Sequence, residues 1–155
     1  MKQMLRQNHS WSERGRYIIR VKARDSHNTE STWSLPLEMT ITAPELDITT
    51  KGGFGISVIM RNNGDTSASN ISWTIMIEGG FVIPNQKSGS IPSIPIGDLS
   101  KLHVVVFGLG KKTITISMSS MEGASVKKIV DISLFLFFVT GKKDTTDNQG
   151  FLTSE

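Results

Sequence analysis

Apolar and polar residues alternate with a period of two along much of the chain. From Arg16 to Arg24, Tyr17, Ile19, Val21 and Ala23 fall on one face, and Arg16, Arg20, Lys22 and Arg24 on the other, with Ile18 the exception. Successive side chains of a strand point to opposite sides, so this predicts a half-buried β-strand. After a polar, turn-rich stretch from Asp25 to Ser34, Leu37, Met39 and Ile41 alternate again. Thr42-Ala43-Pro44-Glu45 reads as a linker, because proline cannot donate to a ladder and ends a strand.

A second series occupies residues 45–140. Phe54, Ile56, Val58 and Met60 alternate with Gly55, Ser57, Ile59 and Arg61. Asn62-Asn63-Gly64-Asp65 is a turn signal, since Asn and Gly tolerate positive φ. Ile71, Trp73, Ile75 and Ile77 form the cleanest strand pattern, which Gly79-Gly80 breaks. Residues 85–100, rich in Gly, Ser and Pro, predict a loop with at most one short strand. A strand is predicted from Leu102 to Phe107, a turn at Gly108-Leu109-Gly110, and another strand from Thr113 to Met118. Residues 126–139 predict a last strand, apolar on both faces over ISLFLFFV, which requires cover on both sides or docking to a partner. From Gly141 onward the chain is polar and is expected to fray.

Short alternating strands separated by turn signals describe an antiparallel immunoglobulin-like β-sandwich. About seven strands fall in 44–140, enough for one such domain, whereas 1–43 holds only two or three, which are marginal without a partner sheet. The expected organisation is an incomplete β-module over 1–43, a sandwich over 44–140 and a polar disordered tail over 141–155. The sandwich segment is expected to fold alone and the first segment not.

Composition agrees. The 155 residues include 17 Ile and 9 Val against 10 Leu and 4 Ala, and Ser and Thr total 33. β-Branched residues fit a pleated surface and lose rotamer freedom in a helix, so a helical bundle or a parallel α/β enzyme is excluded. The absence of cysteine removes a disulfide framework, a thiol nucleophile and any Cys-based metal site. The net charge of +3 is scattered in pairs such as Lys111-Lys112, Lys127-Lys128 and Lys142-Lys143, without the aromatic-interleaved stripe of a nucleic-acid surface. The longest apolar run, Leu134 to Val139, is far short of a spanning helix, so no transmembrane segment is expected in this chain. Residues 1–9 lack the apolar run of a secretory signal.

Two stretches resemble known families. His9-Ser10-Trp11 followed by Gly15, Tyr17, Ile19, Val21, Ala23 and Asp25 resembles the C-terminal half of a PKD-type immunoglobulin-like domain, with Trp11 where Tyr is commoner. Ser31-x-Trp33-Ser34 is a variant associated with archaeal and bacterial cell-surface proteins. The family's first strands have no counterpart, so the resemblance implies a headless module, or a gene model that begins too late. The run Gly53-Phe54-Gly55-Ile56, Asn62-Asn63-Gly64-Asp65, Ala68, Asn70-Ile71-Ser72-Trp73 and Gly79-Gly80 is similar to a CARDB-type module of the same surface proteins. Both resemblances imply export, tandem array in a longer chain and no intrinsic catalysis, hence an extracellular or cell-surface location.

No chemistry is written in the remaining motifs. His9, His27 and His103 lack ligand spacing, His9 reading as a structural corner residue and His103 as solvent-facing. Asp25, Glu30 and Asp65 flank turns; Ca2+ at a module junction would need six to eight oxygens, and no D-x-D-x-D run supplies them. No cofactor is expected. Gly52-Gly53-Phe54-Gly55 and Gly108-Leu109-Gly110-Lys111 lack the phosphate-loop context and read as bulges or turns. Trp73 reads as core; Trp33, with polar neighbours on both sides, reads as packed under a loop and is otherwise the one candidate for exposed recognition. Asn8 and Asn70 head N-x-[ST] glycosylation acceptors, relevant if the protein is exported. The expected function is a non-catalytic spacer, adhesion or interaction module of an exported surface protein, contacting neighbouring modules, a surface protein or a polysaccharide. The alternative is an accessory module that binds polysaccharide or protein for a secreted hydrolase.

Overall fold

The computed structural model describes residues 8–11 and 13–147 and contains twelve strands and no helix among them. The chain divides into two compact units between Thr42 and Ala43, within the predicted linker.

The first unit is a hairpin. β1 (Gly15–Ile19) pairs antiparallel with β2 (Leu37–Ile41), placing Tyr17 opposite Met39 and Ile19 opposite Leu37. The predicted strand over 16–24 therefore stops as a regular element at Ile19. The pairing continues by other means. Ser34 donates its N–H to Val21 O (2.8 Å) and accepts the Val21 N–H on its hydroxyl (3.0 Å). Ser31 does the same to Ala23 (2.9 Å for each bond). A serine side chain thus replaces a ladder acceptor twice, which is what the Ser31-x-Trp33-Ser34 spacing accomplishes. None of the described residues in 8–42 is buried; Tyr17, Ile19, Met39 and Ile41 are half-covered, and Leu37 is 60% exposed. Two strands can hide only what lies between them, and among the described residues of this unit no second sheet covers the apolar face predicted from the alternation.

The second unit is an antiparallel β-sandwich. Its strands are β3 (Leu46–Lys51), β4 (Gly53–Phe54), β5 (Ile56–Asn62), β6 (Ala68–Glu78), β7 (Val82–Ile83), β8 (Gln86–Ile94), β9 (Leu99–Val104), β10 (Phe107–Ser119), β11 (Ser125–Leu136) and β12 (Phe138–Asp147). The large sheet has the order β4-β12-β11-β10-β6-β8, with β7 continuing the β6 side of β10; the small sheet is β3-β5-β9. Alternation decides the core. Ile48, Val58 and Met60 from the small sheet meet Ile71, Ile75, Ile114, Ile116 and Val130 from the large one, all at 1% exposure or less. Trp73 lies in this core at 8% exposure and packs against Gly89, its register partner on β8.

Four strand assignments differ from the sequence pattern. Within 85–100, read as a loop holding at most one short strand, residues 86–94 form a nine-residue edge strand; Pro92 sits in it because an edge strand has one side free of ladder bonds. The strand placed at 102–107 runs instead from Leu99 to Val104. The turn placed at 108–110 lies inside β10, whose register with β11 is unbroken from Gly108 to Ser119. The single strand placed at 126–139 is a hairpin: Phe135 faces Phe138 across a two-residue turn at Leu136-Phe137. Leu136 has φ 55°, a region that costs a non-glycine residue about 1 kcal/mol, and no Asn or Gly announces the turn. Beyond it the chain does not fray at Gly141, as its polarity suggested; β12 stays paired with β11 as far as Asp147, with a register shift near Gly141. The remainder of the predicted tail lies outside the described residues.

Candidate functional site

The polar groups of the second unit are held in structural bonds. Asn62 is fully buried, and all four of its side-chain bonding positions are used. Its Oδ1 accepts the N–H of Glu45 (3.2 Å) and Gly64 (3.0 Å), and its Nδ2 donates to Thr66 O (2.7 Å) and Ile94 O (3.0 Å). Asn62 therefore fastens the entering chain, the 62–66 turn and the end of β8 to one another. Gly64 is needed there because a Cβ would lie 2.3 Å from the Glu45 nitrogen.

Two lysines are buried as well. β6 leaves β10 at Glu78, and β7 rejoins it only at Gly108. Lys112 fills the gap: its Nζ donates to Gly79 O and to Leu109 O (2.8 Å), supplying donors where the ladder has none. Lys128 reaches across the core to Ile48 O (3.0 Å) and so ties the large sheet to the small one. At the 120–124 turn, both Glu122 carboxylate oxygens accept the Ser69 N–H (3.1 Å each), and one also accepts its hydroxyl. Partial desolvation raises the Glu122 pKa, but the bonds from Ser69 and from its own N–H outweigh it and lower the value to about 2.

The sequence candidates divide in the same way. Asp25 Oδ1 accepts the N–H of His27 (2.8 Å) and Thr29 (2.9 Å), closing its turn as a carboxylate does in an Asx motif. Glu30 pairs with Lys22. His103 is exposed and within 3.1 Å of the Ser57 hydroxyl. His9 meets Trp11 edge-on at 4.6 Å, and Trp11 meets Tyr17 at 5.9 Å, an aromatic corner in the first unit. Asn8 and Asn70 are exposed, Asn70 with φ 45° and its Nδ2 3.5 Å from Met121 Sδ. Among the described residues no group of three or more His, Asp or Glu converges on a point that could hold a metal ion. Trp33 is 58% exposed, with Lys22 Nζ 5.0 Å from its ring centroid.

The outer face of the large sheet carries a feature that the doubly apolar run at 132–139 signalled without showing its geometry. Over most of its length that face is polar, with Ser72, Thr74, Ser117, Ser119 and Lys127 forming a shallow hydroxyl-lined surface. At the end farthest from Ala43 it changes character. Leu109 pairs with Phe135, Phe135 with Phe138 and Phe138 with Phe54, so these residues form one apolar row across four strands. Each is more than half exposed. Phe137 joins them from the hairpin turn, 5.7 Å from Phe54 and 5.1 Å from Phe107. Gly55, at φ 76°, lets the chain pass within a bond of this turn: its N–H donates to Phe137 O at 2.8 Å, and a Cβ there would strike Val104 O. The signal available in the sequence was the break in alternation at Phe137-Phe138, which ends the β11 period and begins that of β12.

No family model matches the chain, and no curated protein matches it. The antiparallel all-β sandwich stands on the structure itself.

Proposed function

We propose that the chain is a non-catalytic β-sandwich module of an exported cell-surface protein, working as a spacer, adhesion or interaction unit. The observation that carries this reading is the hairpin at 15–41, whose apolar face is exposed, while the second unit has a full core of its own. Such a hairpin is half of a module, and the natural complement is the other half, in the manner of the PKD-type domain that the hairpin resembles. The polar groups described above support the same reading, because they are engaged in turns and ladder gaps. A rigid sandwich acts by geometry, holding surfaces at fixed spacing.

Fractionation of source cells, followed by immunodetection with an antibody against 44–140, tests this. A surface-associated band well above 17.1 kDa is expected. A cytoplasmic band at that mass refutes it.

Trp33 favours a second reading, an accessory module that presents polysaccharide or protein to a secreted hydrolase. An exposed indole beside a lysine is a stacking platform. Titration with a set of soluble polysaccharides, read by tryptophan emission and repeated in Trp33→Ala, separates the two readings.

A further inference from the structure

We propose that the phenylalanine-rich end of the sandwich is the contact surface of a homodimer. The inference does not depend on export or on the parent protein. The row Leu109, Phe135, Phe138 and Phe54 lies on the outer face of the large sheet, and Phe137, Phe81 and Ile83 extend it over the end of the sandwich. Phe107 links the two parts, 5.1 Å from Phe137 and 6.1 Å from Phe81. From the fractional exposures, the apolar surface left open is on the order of 800 Å2, above the largest patch of an ordinary monomer. It equals what each partner contributes to a standard stable interface of about 1,600 Å2.

Three observations select a second copy as the occupant. The first is charge. Beside the row, a groove is lined by Lys111 and Lys112 together with Glu78 and Asp131. A two-fold contact places each patch against itself, so a border carrying both signs is self-complementary. The second is access. Ala43 enters beside the 62–66 turn, at the opposite end, and β12 runs from Phe138 back toward that end, where Asp147 pairs with Lys127. Neither described chain connection crosses the aromatic surface. The third is composition. The aromatic residues here are all phenylalanine, with no hydroxyl or indole N–H among them to orient a sugar. The strained Leu136 turn keeps apolar side chains at the tip of the surface, where Asn-Gly would form the same turn more easily.

Sedimentation equilibrium of the full chain between about 1 and 200 µM, a range that brackets ordinary dimer affinities, tests the proposal. Wild type is expected at twice 17.1 kDa. Phe135→Glu, and separately Leu109→Lys, are expected to weaken dimerisation at least thirty-fold, roughly the loss of one hot-spot side chain, and to leave the far-UV spectrum unchanged. Leu109→Lys stands in should Phe135→Glu fail to fold. A wild type that stays at 17.1 kDa throughout overturns the proposal. So does a dimer that persists in both variants, which would place the contact elsewhere. Binding of monomeric wild type to phosphatidylserine-containing vesicles, lost in Phe135→Glu, would assign the surface to a membrane instead.

Discussion

Replacing Asn62 by Ala removes four hydrogen bonds with one substitution. The groups left behind are the N–H of Glu45 and Gly64 and the carbonyls of Thr66 and Ile94. The bonds to Gly64 and Ile94 are buried, and those to Glu45 and Thr66 partly buried. A buried polar group without a partner costs about 1–3 kcal/mol, and one that reaches water much less. Two buried groups and two partly wet ones give a loss of about 4 kcal/mol. The whole stability of a domain this size is about 5–15 kcal/mol, so the variant should sit near the edge of folding. Urea titration of the full chain, followed by the emission of buried Trp73 and by far-UV circular dichroism, measures it. The midpoint should fall sharply while the slope is unchanged, because the same surface is exposed on unfolding. A loss under about 1 kcal/mol would refute the reasoning, since it would mean that water reaches all four groups. Asn62→Asp sharpens the test: it keeps the Oδ1 acceptor but turns a second oxygen toward two carbonyls. Its carboxyl pKa is therefore raised in the folded state, so this variant should recover stability as pH falls.

Glu122 behaves in the opposite sense. Its folded pKa, about 2, lies below the ordinary value of 4.5, so its contribution is present above pH 4.5 and is lost as pH falls toward 2. Thermal melts should show Glu122→Gln less stable than wild type at pH 7 and equal to it near pH 2; a constant difference contradicts the Ser69 clamp. Lys112→Met leaves Gly79 O and Leu109 O without donors and should lower the urea midpoint by the equivalent of about 1–3 kcal/mol. A neutral result would show that the gap between β6 and β7 is bridged by water. Gly64→Ala should destabilise despite its small size, because the Cβ meets backbone atoms that cannot rotate away; a melting temperature within a degree of wild type would contradict that packing.

The period of two was enough to find β5, β6 and the core that they share, because those strands bury one face and expose the other. It failed where strands do not obey that condition. β8 is an edge strand whose residues are mostly exposed, so Gln86 to Ser93 carry no alternation and resemble a loop. β10 passes through Gly108-Leu109-Gly110 without turning, because its neighbour β11 holds the ladder there. The hairpin at Leu136-Phe137 was hidden by its own composition, since turn residues are ordinarily polar or small and these are neither. That omission also hid the geometry of the candidate surface: residues read as one strand, doubly covered or docked to a partner, belong to two strands whose aromatics lie in the open. Trp33 went the other way: its sequence context favoured packing under a loop over exposure, yet it is 58% exposed.

Hydrogen–deuterium exchange of the full chain, read peptide by peptide, tests most directly the division into a self-sufficient sandwich and an uncompleted hairpin. Amides of β5, β6, β10 and β11 should be protected with the full stability of the sandwich, while those of Gly15–Ile19 and Leu37–Ile41 should exchange orders of magnitude faster. Equal protection of the hairpin and the sandwich would contradict the account, because it would mean that the hairpin's apolar face is already covered.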